Sequence, residues 1–125
     1  MYCVEVEGVE WDWLASDLAG QVALVSSGGS GQVPSVMVEQ EPLIRDFMEA
    51  VGIRIDAESW RIAADFGLYG YDVNANGGPY TRLTTPVSPK CIDDLPERFR
   101  ALAHRVVVQG CFDKMQIITC DQFSY

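Results

Sequence analysis

The sequence predicts an α+β domain: a twisted antiparallel β-sheet, built from a meander and hairpins, with two to three helices packed on it. Three observations lead there. Short runs in which apolar and polar residues alternate at period two recur between turn residues. Two segments, 42–51 and 95–106, switch to helical spacing. The connections between successive alternating runs are short enough for antiparallel neighbours. With 125 residues, the chain forms a single domain, 1–125.

The first run is 2–7, with Tyr2, Val4 and Val6 opposed to Cys3, Glu5 and Glu7. The second is 11–16, with Trp11, Trp13 and Ala15 opposed to Asp12, Leu14 and Ser16, and 21–26 is a third. Asp17-Leu-Ala-Gly20 between the last two has hairpin-loop chemistry, because Gly tolerates a positive φ. The three runs together read as an antiparallel meander. Residues 27–34 read as a Gly-rich loop ending in Pro34.

Leu43, Ile44, Phe47, Met48 and Val51 then share one helical face. Pro42 suits the first turn, Glu41 complements the positive end of the dipole, and Gly52 is a C-terminal stop. Asp56 reads as the N-cap of a second helix over 57–65, closed by Gly67. Strands over 68–73 and 80–85 flank Asn74-Ala-Asn-Gly-Gly78, a tight-hairpin signal. Pro86 and Pro89 impose an extended connector. Asp94 reads as the cap of a third helix carrying Leu95, Phe99, Leu102 and Val106 on one face. Two β-rich runs, 106–112 and 115–120, pair around Asp113-Lys114 at the end.

Charge is distributed unevenly. Glu5, Glu7, Glu10, Asp12, Asp17, Glu39 and Glu41 all precede the first base, Arg45. The whole formal net charge of −9 lies ahead of Phe66, and acids and bases balance from there on. Such a surface repels nucleic acid and anionic lipid and attracts basic partners. No apolar run approaches the ~20 residues of a membrane helix. The N-terminus has acids where a signal peptide has its apolar core, so the expected compartment is the cytoplasm, with Cys3, Cys91, Cys111 and Cys120 as reduced thiols.

No motif supplies chemistry. The loop at Gly28–Gly31 lacks the Gly-Lys-Ser/Thr ending of a P-loop and the third Gly of a dinucleotide fingerprint. His104, the single imidazole, falls in the last turn of a predicted helix, where interaction with the dipole explains it better than acid–base work. Lys90-Cys91 is a weak candidate for an activated thiol. Asp72, Asn74 and Asn76 begin like a calcium loop, but position 12 is Leu83, so a hairpin is the better reading. The paired carboxylates Glu5/Glu7, Glu39/Glu41 and Asp93/Asp94 read as solvated charge. No cofactor, no metal and no catalytic residue is expected.

Residues 11–34 and a second stretch together resemble a family of small acidic bacterial proteins of the polymorphic or contact-dependent toxin immunity type. The first carries an aromatic strand from Trp11, Asp17-Leu-Ala-Gly20, a second strand and the Gly-rich loop to Pro34. The second carries Gly67-Leu-Tyr-Gly-Tyr-Asp72, Tyr80, Pro86, Pro89 and Leu95-Pro96. The resemblance implies binding and neutralisation of a toxin, and it supplies no catalytic residue.

The charge and the resemblance point to an inhibitor, not an enzyme, that binds a basic toxin domain of, for example, nuclease type. Asp12, Asp17, Glu39, Glu41 and Asp72 are the expected contact residues, with Tyr80 as an exposed aromatic anchor. Two other readings remain open at this point. One is a small-molecule binder or enzyme with a pocket near the Gly-rich loop, and the other is a non-catalytic adaptor subunit.

Overall fold

The computed structural model describes residues 3–5, 11–27, 32–38, 40–53, 58–73 and 79–124. Several expectations lie outside them: Tyr2, Val6 and Glu7, the glycines of 28–31, Glu39, the Asp56 cap and the Asn74–Gly78 turn. The order of elements is β1 (Cys3–Glu5), β2 (Asp12–Ser16), β3 (Val22–Ser26), β4 (Gln32–Pro34), α1 (Ser35–Val38), α2 (Glu41–Val51), α3 (Ser59–Phe66), β5 (Tyr69–Val73), β6 (Tyr80–Thr84), α4 (Glu97–Arg105), β7 (Val107–Val108), β8 (Ile117–Ile118) and β9 (Phe123–Ser124). This is an α+β domain, but its sheet is mixed.

Among the described residues the main sheet runs β8-β6-β5-β3-β2-β7-β9, and β1 pairs with β4 in a separate ribbon. Antiparallel pairs join β2 to β3, β5 to β6, β6 to β8 and β7 to β9. The pairs β3–β5 and β2–β7 are parallel, which corrects the expectation of a purely antiparallel sheet. The cause is the crossover: three helices intervene between β3 and β5, and so long a connection lets a strand return in the same direction.

The hairpin at Asp17–Gly20 forms as its residues dictate. Gly20 adopts φ 78°, and its N–H donates to the Asp17 carbonyl at 3.0 Å. The opening is nevertheless no three-stranded meander. Both edges of β2 are occupied, one by β3 and the other by β7 at Ser16↔Val107, so β1 pairs with Gln32–Pro34 instead. Residues 32–34, expected as loop, are therefore strand.

The helices follow their periodicity. α2 buries Ile44 and Phe47 and ends at Gly52, whose φ of 85° lets its N–H reach the Glu49 and Met48 carbonyls. Phe47 meets Phe66 of α3 and Phe99 of α4 edge to face, with centroids 6.0 and 5.2 Å apart, and so ties three helices together. α3 ends at Gly67 with φ 114°. Asp94 does not cap α4. Pro96 forces Leu95 into an extended conformation (φ −77°, ψ 150°), so the helix starts after the proline. Asp94 instead closes a 3₁₀ turn at Ile92–Asp94 by accepting the Cys91 N–H at 3.0 Å.

The C-terminal runs do not pair with each other. β7 and β9 lie at one end of the sheet order and β8 at the other, with a 3₁₀ turn at Phe112–Lys114 between β7 and β8. Ile118 and Phe123 are five residues apart, a reach of at most ~18 Å. A flat sheet would separate β8 from β9 by six strand spacings, about 29 Å. The sheet must therefore curl until its ends approach. Its concave side holds Trp13, Tyr80 and Phe123 in mutual edge contact at 5.4 to 6.2 Å, and Tyr69, Tyr71 and Phe112 beside one another.

The helices cover the other side. Ser16 Oγ donates to the Ala103 carbonyl of α4 at 2.8 Å, and Gly70 lies so close under Trp60 of α3 that a Cβ there would stand 2.5 Å from the ring. Both faces of β2 and β3 are covered. That is why Trp13, Leu14, Ala15 and all of β3 are buried where the alternation predicted a half-buried strand.

Candidate partner-binding surface

Asp17 is 4% exposed, so it is no contact residue. Its Oδ1 accepts the N–H groups of Ala19 and Gln21 at 3.0 and 2.9 Å, and its Oδ2 accepts that of Phe112 at 2.9 Å. One carboxylate thus shapes the first hairpin and holds the C-terminal segment to it. Arg82 and Tyr71 complete the grip. The Arg82 guanidinium and the Tyr71 hydroxyl both donate to the Phe112 carbonyl, and Tyr71 also donates to that of Met115 at 2.6 Å.

Tyr80, expected as an exposed anchor, is 2% exposed. Alternation along β6 puts Tyr80 and Arg82 on the concave side and leaves Thr81 and Leu83 outside. Burial pushes the Tyr80 hydroxyl well above its ordinary pKa, and the nearby Asp72 carboxylate adds to the shift. Burial likewise pushes Tyr71 up to about 12, against the opposing effect of Arg82. Tyr69 is raised by burial and by the Asp113 and Asp17 carboxylates. These neutral phenols belong to the core.

Asp12 and Asp72 are half-buried and flank Ser26, with the register Asp12↔Ser26 and Ser26↔Asp72. They lie in one row across β2, β3 and β5, and not at an open edge. Glu41 is paired with Arg45 one turn on. Glu39 lies outside the described residues. The five expected contact residues that are described are therefore not gathered into one exposed face.

The exposed acids without a counter-ion lie elsewhere. Asp46 pairs with Arg98 at 3.3 Å, which with Phe47 and Phe99 sets α2 beside α4. Glu58 and Asp65 share Arg61. Asp93, Asp94 and Glu97 are exposed and make no ion pair among the described residues. Of the bases around them, Lys90 sits over the Phe66 ring, Arg98 pairs with Asp46, and Arg100 donates to the carbonyls of Leu95 and Asp93 at 3.1 and 3.0 Å. Sequence reading had the Asp93/Asp94 pair but no means of knowing that Arg100 would be turned to the backbone.

His104 is exposed in the last turn of α4. Cys91 and Cys111 are free thiols, one exposed and one half-buried. Among the described residues no three His, Cys, Asp or Glu side chains converge as a metal site, and no helix is long and apolar enough to cross a membrane. Comparison with protein-family models, curated proteins and solved structures finds no match to this chain.

Proposed function

We propose that this protein is an immunity-type inhibitor, acting in the cytoplasm, that binds and neutralises a basic toxin domain through an acidic surface. A nuclease is the toxin class such charge would suit, because surfaces that hold nucleic acid are themselves basic. The observation that carries the reading is the uncompensated carboxylate group Asp93, Asp94 and Glu97, exposed at the entry to α4 in a chain of net charge −9. Ion pairs already occupy Glu41, Asp46, Glu58 and Asp65. Glu49, Asp113 and Asp121 are also exposed without an ion pair among the described residues, but each stands alone in sequence. Asp93, Asp94 and Glu97 lie within five residues of one another and concentrate the attraction for a basic partner. The resemblance of residues 11–34 and of the second stretch to immunity-type proteins supports the same reading.

The test is co-expression with the polypeptide encoded by the neighbouring gene. The two should co-purify, association should slow as salt is raised, and the protein should protect cells from that polypeptide. Absence of both binding and protection would sink the proposal.

A further inference from the structure

We infer that residues 85–90 form a preorganised recognition loop whose tip, Val87, inserts into an apolar pocket of the partner protein, with the partner's Lys and Arg side chains rimming that pocket. The inference rests on the inhibitor reading above and names the contact that would hold the complex. Val87 is 99% exposed, the highest value among the exposed large apolar residues described. Leu83, at the end of the strand that feeds the loop, is 54% exposed.

The loop that presents Val87 is fixed at both ends. On the entry side Thr84 is held in β6 and Pro86 is buried. On the exit side the Lys90 N–H donates to the Gly67 carbonyl at 2.8 Å, and Lys90 Nζ sits 4.6 Å above the Phe66 ring. Cys91 bridges to Gln21, and the Ile92 N–H reaches the Gly20 carbonyl at 2.9 Å. The returning limb rests directly on Gly67, where a Cβ would meet the Ser88 carbonyl at 2.9 Å. Pro86 and Pro89 fix φ on either side of the tip. Ordering such a loop on binding costs little, since its entropy is already lost in the free protein.

Charge decides what kind of pocket fits. The loop itself exposes only Thr85, Val87 and Ser88, none of them charged. Six residues beyond Val87, within a reach of at most ~22 Å, comes Asp93, followed by Asp94 and Glu97. A standard interface of about 800 Å² per partner is roughly 30 Å across, so one patch can include the tip with Asp93 and Asp94. An apolar anchor with an anionic rim complements an apolar pocket with a cationic rim.

The experiment measures binding of wild type, Val87→Ala and Val87→Asp to the polypeptide encoded by the neighbouring gene, by calorimetry, with thermal unfolding of each variant alongside. Both variants should unfold at the wild-type temperature, because Val87 touches nothing it could lose. Val87→Ala should weaken binding about tenfold and Val87→Asp about 30-fold or more, mainly through faster dissociation. A photo-crosslinking residue at position 87 should be captured inside the partner. Wild-type affinity in both variants, with no crosslink, overturns this inference and leaves the inhibitor reading standing. If the wild-type protein does not bind at all, the inhibitor reading falls and this inference falls with it.

Discussion

Tyr80 on β6 and Phe123 on β9 meet ring to ring at 6.2 Å, although β6 is second from one end of the sheet order and β9 is last at the other. Trp13 closes the triangle from β2, at 5.4 Å from Tyr80 and 6.1 Å from Phe123. The contact across the concave side holds the curl, since β9 itself is bound by only two residue pairs to β7. Phe123→Ala should therefore cost about 3–5 kcal/mol, well beyond what a two-residue edge strand contributes. A urea titration followed by tryptophan fluorescence reads it, and a loss below about 1 kcal/mol would show that the curl does not depend on this ring.

Asp17 offers a second check, because the sequence makes it a surface acid and the structure makes it a staple. Asp17→Ala would strip the acceptors from three backbone N–H groups, including the buried one of Phe112, at a cost of about 2–4 kcal/mol. Asp17→Asn should cost less, since its amide oxygen can still serve Ala19 and Gln21 while the amide nitrogen cannot accept from Phe112. Neither variant, where still folded, should change affinity for the partner. Loss of binding at unchanged stability would return Asp17 to the interface.

Helix α2 and the first hairpin were legible because local chemistry decides them: Pro42 and Gly52 bracket α2, and Gly20 turns the hairpin. The sheet order was not legible. β7, β8 and β9 are two residues each, too short to carry a period, and their places are set by where Phe112 and Phe123 find room on the concave side. Tyr80 shows the same limit at the site. Its alternation with Thr81 was visible, but only the curl determines which side is the inside. Arg82, a charged residue on that inner side, is there because it serves the Phe112 carbonyl, a long-range role that no spacing announces.

Alkaline pH should weaken the fold through Tyr71. Its hydroxyl is neutral in the folded protein up to about 12, whereas an exposed tyrosine in the unfolded chain ionises near 10. The folded state thus binds the proton more tightly, so stability is fully present below about pH 10. It is lost as pH rises through about 12. Denaturant midpoints measured at intervals above neutrality should be flat to about pH 10 and then fall. Tyr71→Phe, which cannot ionise, should start lower for want of the Met115 and Phe112 bonds but show a shallower alkaline decline. An identical slope in the variant would assign the decline to other groups, Tyr80 first.

Close packing between α3 and the bulged β5–β6 pair makes Gly70 sensitive. The register slips between Gly70 and Tyr71, and a Cβ at Gly70 would stand 2.5 Å from Trp60 Cε3 and 2.6 Å from Thr84 Cγ2. Gly70→Ala should therefore destabilise by about 1–3 kcal/mol through overpacking. Trimming the ring with Trp60→Leu in the same chain should recover part of that loss in a double-mutant cycle, since the two changes act on one contact. Purely additive effects would mean that the helix shifts as a whole to make room.

Two charge reversals separate paired from unpaired acids. Glu41→Lys places a second cation beside Arg45 and forfeits an exposed helix pair, which together should cost under about 1 kcal/mol of stability. Its effect on partner association should be small, because the Arg45 charge already offsets Glu41 in the wild type. Asp93→Lys with Glu97→Lys, where no ion pair holds either acid, should cost about 1 kcal/mol of stability, because Glu97 leaves its favourable place at the N-terminus of α4. It should slow association with the neighbouring gene's product by about tenfold or more at low salt, with the difference shrinking as salt is raised. Stopped-flow association rates over a salt series decide it. Equal slowing by both sets would place the attraction in the total charge of the chain and not in the entry to α4.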